Sequence, residues 1–171
     1  HVHLLLTPAT ADALGALMQG LGRRYGAGFN RRHGRRGALW AGRFRATVVQ
    51  AGAPLLDAML FIDHHPVRSG RVAATHDHPW CSAAHHVGRV RDPLITECGA
   101  WWALGNTPFE REAAYRRLLA DGPAPESVAR LADAGRKGWP VGDAGFLAAL
   151  SRQTARPLAP RPRGRPRSAG A

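Results

Sequence analysis

His1 and His3 are the first residues whose type and spacing could do chemistry. Read as a strand, the segment His1-Val2-His3-Leu4-Leu5-Leu6 alternates its side chains between two faces, so both imidazoles point one way while Val2 and Leu4 point the other. Two imidazoles on one face can share a divalent metal, and such an ion polarises a phosphate oxygen while keeping positions open for a substrate. The competing reading of a His-x-His pair is the polar edge of an otherwise buried strand. A second concentration of ligand types, His76, His78, Cys81, His85 and His86 with Cys98 further on, invites a zinc reading, but its spacing matches no common structural zinc site.

The strongest chemical signal is charge. Arg23, Arg24, Arg31, Arg32, Arg35, Arg36, Arg43 and Arg45 fall between Leu21 and Ala46 with no acidic residue among them. A solvated helix face ordinarily mixes signs, because like charges three or four positions apart repel. An unmixed face is either a charged surface without a partner or, the reading favoured here, a contact surface for a nucleic-acid backbone. Trp40 and Phe44 lie inside the cluster, where aromatic rings can stack unpaired bases or pack a core; Trp40 is expected in the core. The whole chain agrees with this sign: 171 residues carry 24 Lys+Arg against 12 Asp+Glu, a net charge of +12. A basic excess of that size favours a polyanionic partner, and guanidinium forks match phosphate. Richness in Ala, Gly, Pro and Arg together explains part of the preference for Arg over Lys.

These groups need elements to hold them. The length suits one domain with a modest core plus a tail. The two cysteines, Cys81 and Cys98, form no paired framework and fit a reducing cytosol, and no run approaches the roughly 20 apolar residues of a membrane span. Thr7-Pro8-Ala9-Thr10 ends the first strand, and Leu14, Leu17, Met18, Leu21, Tyr25 and Phe29 recur at helical spacing, predicting a helix from about Asp12 to Asn30 whose stripe is core. Gly15, Gly20, Gly22, Gly26 and Gly28 weaken that helix, so packing must hold it. Arg45 to Gln50 reads as a second strand, and Leu55, Leu56, Met59, Leu60 and Ile62 as a helix closed by Pro66. Further on, Thr107-Pro108-Phe109-Glu110 is a capping box opening a helix that runs to Gly122; two shorter helices follow at 125–134 and 142–150, with Trp101, Trp102 and Trp139 as anchors.

Four segments, taken in order, resemble a known family. They are His1-Val2-His3-Leu4-Leu5-Leu6-Thr7-Pro8, Gly37-Ala38-Leu39-Trp40-Ala41-Gly42-Arg43-Phe44, Phe61-Ile62-Asp63-His64-His65-Pro66-Val67-Arg68 and His78-Pro79-Trp80-Cys81-Ser82. They are similar to the HUH metal motif, the G-T-L-W-E-G-R-F segment, the Y-I-E-L-N-P-V-R helix end and the Y-P-W-S-S loop of the REP-associated branch of the single-tyrosine transposases. The resemblance implies an α+β fold: a ferredoxin-like HUH nuclease domain, here a remnant over residues 1–98 lacking its first strands, then a helical accessory region at 99–151 and a disordered Arg/Pro-rich tail at 152–171. It implies a fragment whose upstream part is missing.

It also implies metal-dependent nicking and rejoining of single-stranded or hairpin DNA. His1 and His3 would hold a divalent ion, Mg or Mn, and a tyrosine would attack phosphorus to form a phosphotyrosine. The matching position is Phe61, which has no oxygen to attack with, and neither Tyr25 nor Tyr115 stands there. Ala41 replaces a usual acid, and His64-His65 replace an apolar or basic residue followed by Asn. Two expectations result: a transposase-like DNA-binding protein without activity, or a DNA-binding remnant or regulator that never cleaves. The family adds a homodimer and a cytoplasmic, nucleoid-associated setting as expectations. In the tail, Pro162-Arg163-Gly164-Arg165-Pro166 resembles an AT-hook core, in which Arg163 and Arg165 would reach into a narrow minor groove.

Overall fold

A computed structural model describes residues 1–160 of the chain, and these divide into two compact units, His1–Ala46 and a second beginning at Thr47. In the first unit, the helical spacing of Leu14, Leu17, Met18, Leu21, Tyr25 and Phe29 gives α1 (Ala13–Arg32). Asp12 precedes it without a side-chain capping bond, and Arg31 and Arg32 close its last turn, where cations complement the exposed carbonyls. Gly34, at φ 59°, turns the chain away, and Asn30 Nδ2 donates to the carbonyl of Gly37 at 2.9 Å to hold the following loop. Trp40 Nε1 donates to the carbonyl of Gly22 at 3.3 Å, laying the indole beside α1. None of the described residues of this unit is buried.

The second unit is built on α2 (Ala53–Asp63), entered through Gly52 at φ 85° with Pro54 in the first turn. This helix is apolar on more than one side, as a central helix must be. Met59 and Leu60 join one core cluster with Ala83, Val87, Trp101, Tyr115 and Leu119. Ala58 and Phe61 join another with Leu131, Ala134 and Val141. Against it pack α3 (His65–Arg68), α5 (Gly99–Trp102), α6 (Pro108–Asp121) and α7 (Pro125–Lys137); a 3-10 turn (Thr75–Asp77) lies on α3 and α4 (Ala83–His86), α4 adds Ala83 to the core, and α8 (Ala144–Ser151) follows α7. The capping box of α6 has both halves: Thr107 Oγ1 accepts from the Glu110 amide, and the Glu110 carboxylate accepts from the Thr107 amide. Helix α7 stops at Gly138 in the left-handed region, and Asp143 caps α8 by accepting from the Phe146 amide at 2.7 Å.

The α+β expectation is wrong. The described residues are 51% helical with almost no strand and no sheet, so a ferredoxin-like remnant is not what this chain forms. His1–Leu6 forms no strand, and alternation in a segment without a bonded partner strand does not make one. Of the second expected strand, only Val49 pairs, in a single parallel bridge to Val141 made by Gln50 N–H to Val141 O and Val141 N–H to Val48 O, both 2.8 Å. The bridge does not lengthen: on one side the Trp139 carbonyl accepts from the Thr47 hydroxyl, and on the other the Asp143 amide donates to the Gln50 side chain where the cap of α8 begins.

Candidate nucleic-acid interface

Both halves of the arginine cluster lie in the first unit. Arg23, Arg24, Arg31 and Arg32 are carried by α1 and Arg35, Arg36, Arg43 and Arg45 by the segment after it, and all eight are exposed. Arg24 and Arg31, seven residues apart, share one side of the helix. No acidic residue occurs between Asp12 and Asp57. Three acids of the second unit have cations of their own: Asp57 pairs with Arg130, Asp77 with Arg89, Asp133 with Arg136 and Lys137. Aromatic rings stand among the arginines. Tyr25 is 52% exposed, Phe44 46% and Trp40 41%, so the expectation of a core Trp40 and of a buried stripe on α1 does not hold. The reason is that α1 meets too little apolar surface to cover that stripe. Tyr25 and Trp40 instead pack ring against ring at 5.7 Å, and the Arg35 guanidinium lies 5.7 Å from the Phe29 centroid.

His1 and His3 converge. Their Nε2 atoms are 3.1 Å apart with the rings edge to face, although the segment is not a strand. That separation is close to the span of two neighbouring ligands each about 2.1 Å from one ion, so the pair fits a divalent metal as two of its ligands. The zinc grouping does not assemble. His86 Nδ1 bonds Asp63, His85 Nδ1 accepts from the Asp92 amide at 3.0 Å while its Nε2 faces Glu97, His76 faces Asp77, and the Cys98 thiol meets the Met59 sulfur at 3.6 Å.

Phe61, at the place of the family's nucleophile, is a core residue of the second unit with the Arg68 guanidinium 4.4 Å from its ring centroid; Arg68 Nη1 also donates to the Phe61 carbonyl at 2.9 Å. Arg163 and Arg165, with the AT-hook resemblance, lie outside the described residues.

Sequence reasoning missed the polar centre of the second unit. Asp63, fully buried at the end of α2, accepts from His86 Nδ1 at 2.7 Å, from Tyr115 Oη at 2.9 Å, from Ser82 Oγ, and from the Cys81 thiol at 3.6 Å. Three segments distant in sequence, the end of α2, α4 with its entry turn, and α6, thus meet at one carboxylate, and two of the family-like segments, Phe61 to Arg68 and His78 to Ser82, touch each other there. Burial, with Asp63 adding to it, raises Tyr115 well above the usual phenol range and pushes the Cys81 thiol up to about 12, which makes both groups poor nucleophiles. His64 and His65 are lowered, first by burial and then by the Arg68 charge. The only available signal was an acid closing an otherwise apolar helical run.

No protein-family model, no curated protein and no solved structure matches the chain. Among the described residues, no helix is long and apolar enough to cross a membrane.

Proposed function

We propose that this chain is a DNA-binding protein related to the single-tyrosine transposases, which holds single-stranded or hairpin DNA through its first unit and does not cut it. The observation that carries the reading is the acid-free arginine surface of α1 and the segment after it. Exposed guanidinium groups on a stretch of sequence that carries no acid release counterions when they meet phosphates, which supplies affinity without base readout. The exposed rings of Tyr25, Trp40 and Phe44 offer stacking surfaces of the kind that favours unpaired bases. His1 and His3 would hold a Mg or Mn ion that polarises a phosphate oxygen when bound. Phe61, in the core at the place of the family's nucleophile, has no oxygen to attack with, Tyr115 is buried at Asp63, and the exposed Tyr25 serves here as a stacking ring beside Trp40, so binding ends without a covalent step. The setting that fits is the cytoplasm at the nucleoid, and a homodimer is compatible with it.

The test incubates the chain with a labelled DNA hairpin and Mn²⁺, then resolves the sample on native and denaturing gels. A shifted complex on the native gel and free DNA of full length on the denaturing gel support the reading. Cleaved DNA or a covalent adduct contradicts the non-cleaving part, and no complex at low salt contradicts the whole.

A further inference from the structure

We propose that α1 folds in step with nucleic-acid binding: free, its helix is marginal, and phosphates that neutralise its arginines make it stable. The proposal rests on the DNA-binding reading above and adds a conformational step to it. Helices in proteins owe most of their stability to packing of an apolar face, yet no residue of α1 is buried. Intrinsic preference does not compensate, because five of its twenty residues are glycine. At Gly15, Gly20 and Gly28 a side-chain Cβ would meet nothing within 4 Å, so no close approach requires glycine there; its effect is to loosen the helix.

The N-terminal end is not secured. Asp12 makes no side-chain capping bond, and the first turn has no acid to complement its amides. At the other end Gly34 in the left-handed region and the Arg35 amide, donating to the Asn30 carbonyl at 2.9 Å, close the helix, but Arg31 and Arg32 are followed by Arg35 and Arg36, so like charges crowd that closure. Its braces lie at the surface: exposed hydrogen bonds from Trp40 Nε1 to Gly22 and from Asn30 Nδ2 to Gly37, and the ring contact of Tyr25 with Trp40. Phosphates laid along this surface turn the repulsion into attraction, and the helix then gains what its sequence withholds. Helix α6 is the internal contrast, with a complete capping box and buried Tyr115 and Leu119.

Amide hydrogen exchange on the full chain, alone and with a DNA hairpin at low salt, tests this while anisotropy of the same labelled hairpin reports binding. The expected result is exchange across residues 13–32 within about tenfold of an unstructured chain when free, against protection of α6 by about a thousandfold or more, and a slowing across 13–32 of about tenfold or more on binding. Protection of α1 equal to that of α6 in the free chain overturns the proposal, whatever the DNA does. Binding with unchanged exchange across 13–32 also overturns it, and leaves the DNA-binding reading standing. Absence of binding removes both. The variant Gly15→Ala/Gly20→Ala/Gly28→Ala provides an independent arm: it should slow exchange in free α1 and tighten DNA binding by about tenfold, because less ordering remains to be done on binding. A helix stabilised without tighter binding overturns the coupling.

Discussion

Replacing Asp63 by Ala should remove much of the stability of the second unit. The carboxylate is fully buried and accepts from His86 Nδ1 at 2.7 Å, Tyr115 Oη at 2.9 Å and Ser82 Oγ. His86 and Tyr115 are themselves buried, so the change strands donors that water cannot easily reach. A buried donor left without its acceptor costs about 1–3 kcal/mol. Three such donors, partly relieved by rearrangement and by no longer burying a carboxylate, give a loss of about 3–6 kcal/mol. Against the roughly 5–15 kcal/mol of a typical domain that is a large share. The assay is urea unfolding followed by tryptophan fluorescence, because Trp101 lies 5.5 Å from both the His86 and Tyr115 rings and reports on the site. Tyr115→Phe, which removes one donor and leaves the carboxylate its other partners, should lose about 1–2 kcal/mol. A loss of about 0.5 kcal/mol or less for Asp63→Ala, the size of an ordinary surface change, would refute the reasoning.

Two further outcomes are expected. The Thr107 and Asn106 amides, donating at 3.0 and 2.7 Å, hold the Glu110 carboxyl below the usual carboxylate range. Its contribution is therefore present above the unfolded carboxylate pKa and lost as pH falls through the depressed native value, so Glu110→Gln should flatten the acid side of the stability–pH curve in circular dichroism titrations; an unchanged slope counts against this. Phe61→Tyr should yield no covalent DNA adduct with Mn²⁺ on a denaturing gel, because the ring at that position packs with Leu131, Ala134 and Val141 under Arg68; adducts would show that the position opens to substrate.

Helix limits were legible because they are written locally. The Thr107 and Glu110 pair, Pro108 and Pro125 in first turns, and Gly122 beyond a last turn each act within a few residues, and α6 begins and ends at them while α7 begins at Pro125; the end of α7, expected at 134, lies at Lys137 before Gly138. The two strands were misread because alternation in His1–Leu6 and β-branching in Arg45–Gln50 report only what a segment could pair with, whereas pairing is decided elsewhere, at Val141 for the second. The stripe on α1 was read correctly as a face and wrongly as a core, since periodicity says nothing of what covers it. The Asp63 centre was invisible for a similar reason: Ser82, His86 and Tyr115 come to it from 19, 23 and 52 residues away. The arginine cluster needed no folding to be seen, since its message is composition and exposure.

The most direct test of the central claim is the salt dependence of binding. A labelled DNA hairpin would be titrated with the full chain and with the variant Arg24→Ala/Arg31→Ala/Arg35→Ala/Arg36→Ala between about 50 and 200 mM salt, each lost phosphate contact reducing the slope of log affinity against log salt by about 0.7–0.9. The account predicts that the wild-type chain binds with a steep slope, and that the variant binds more weakly with a slope smaller by about 3. Equal affinity and slope for the two proteins, or no binding by either at the lowest salt, would contradict it.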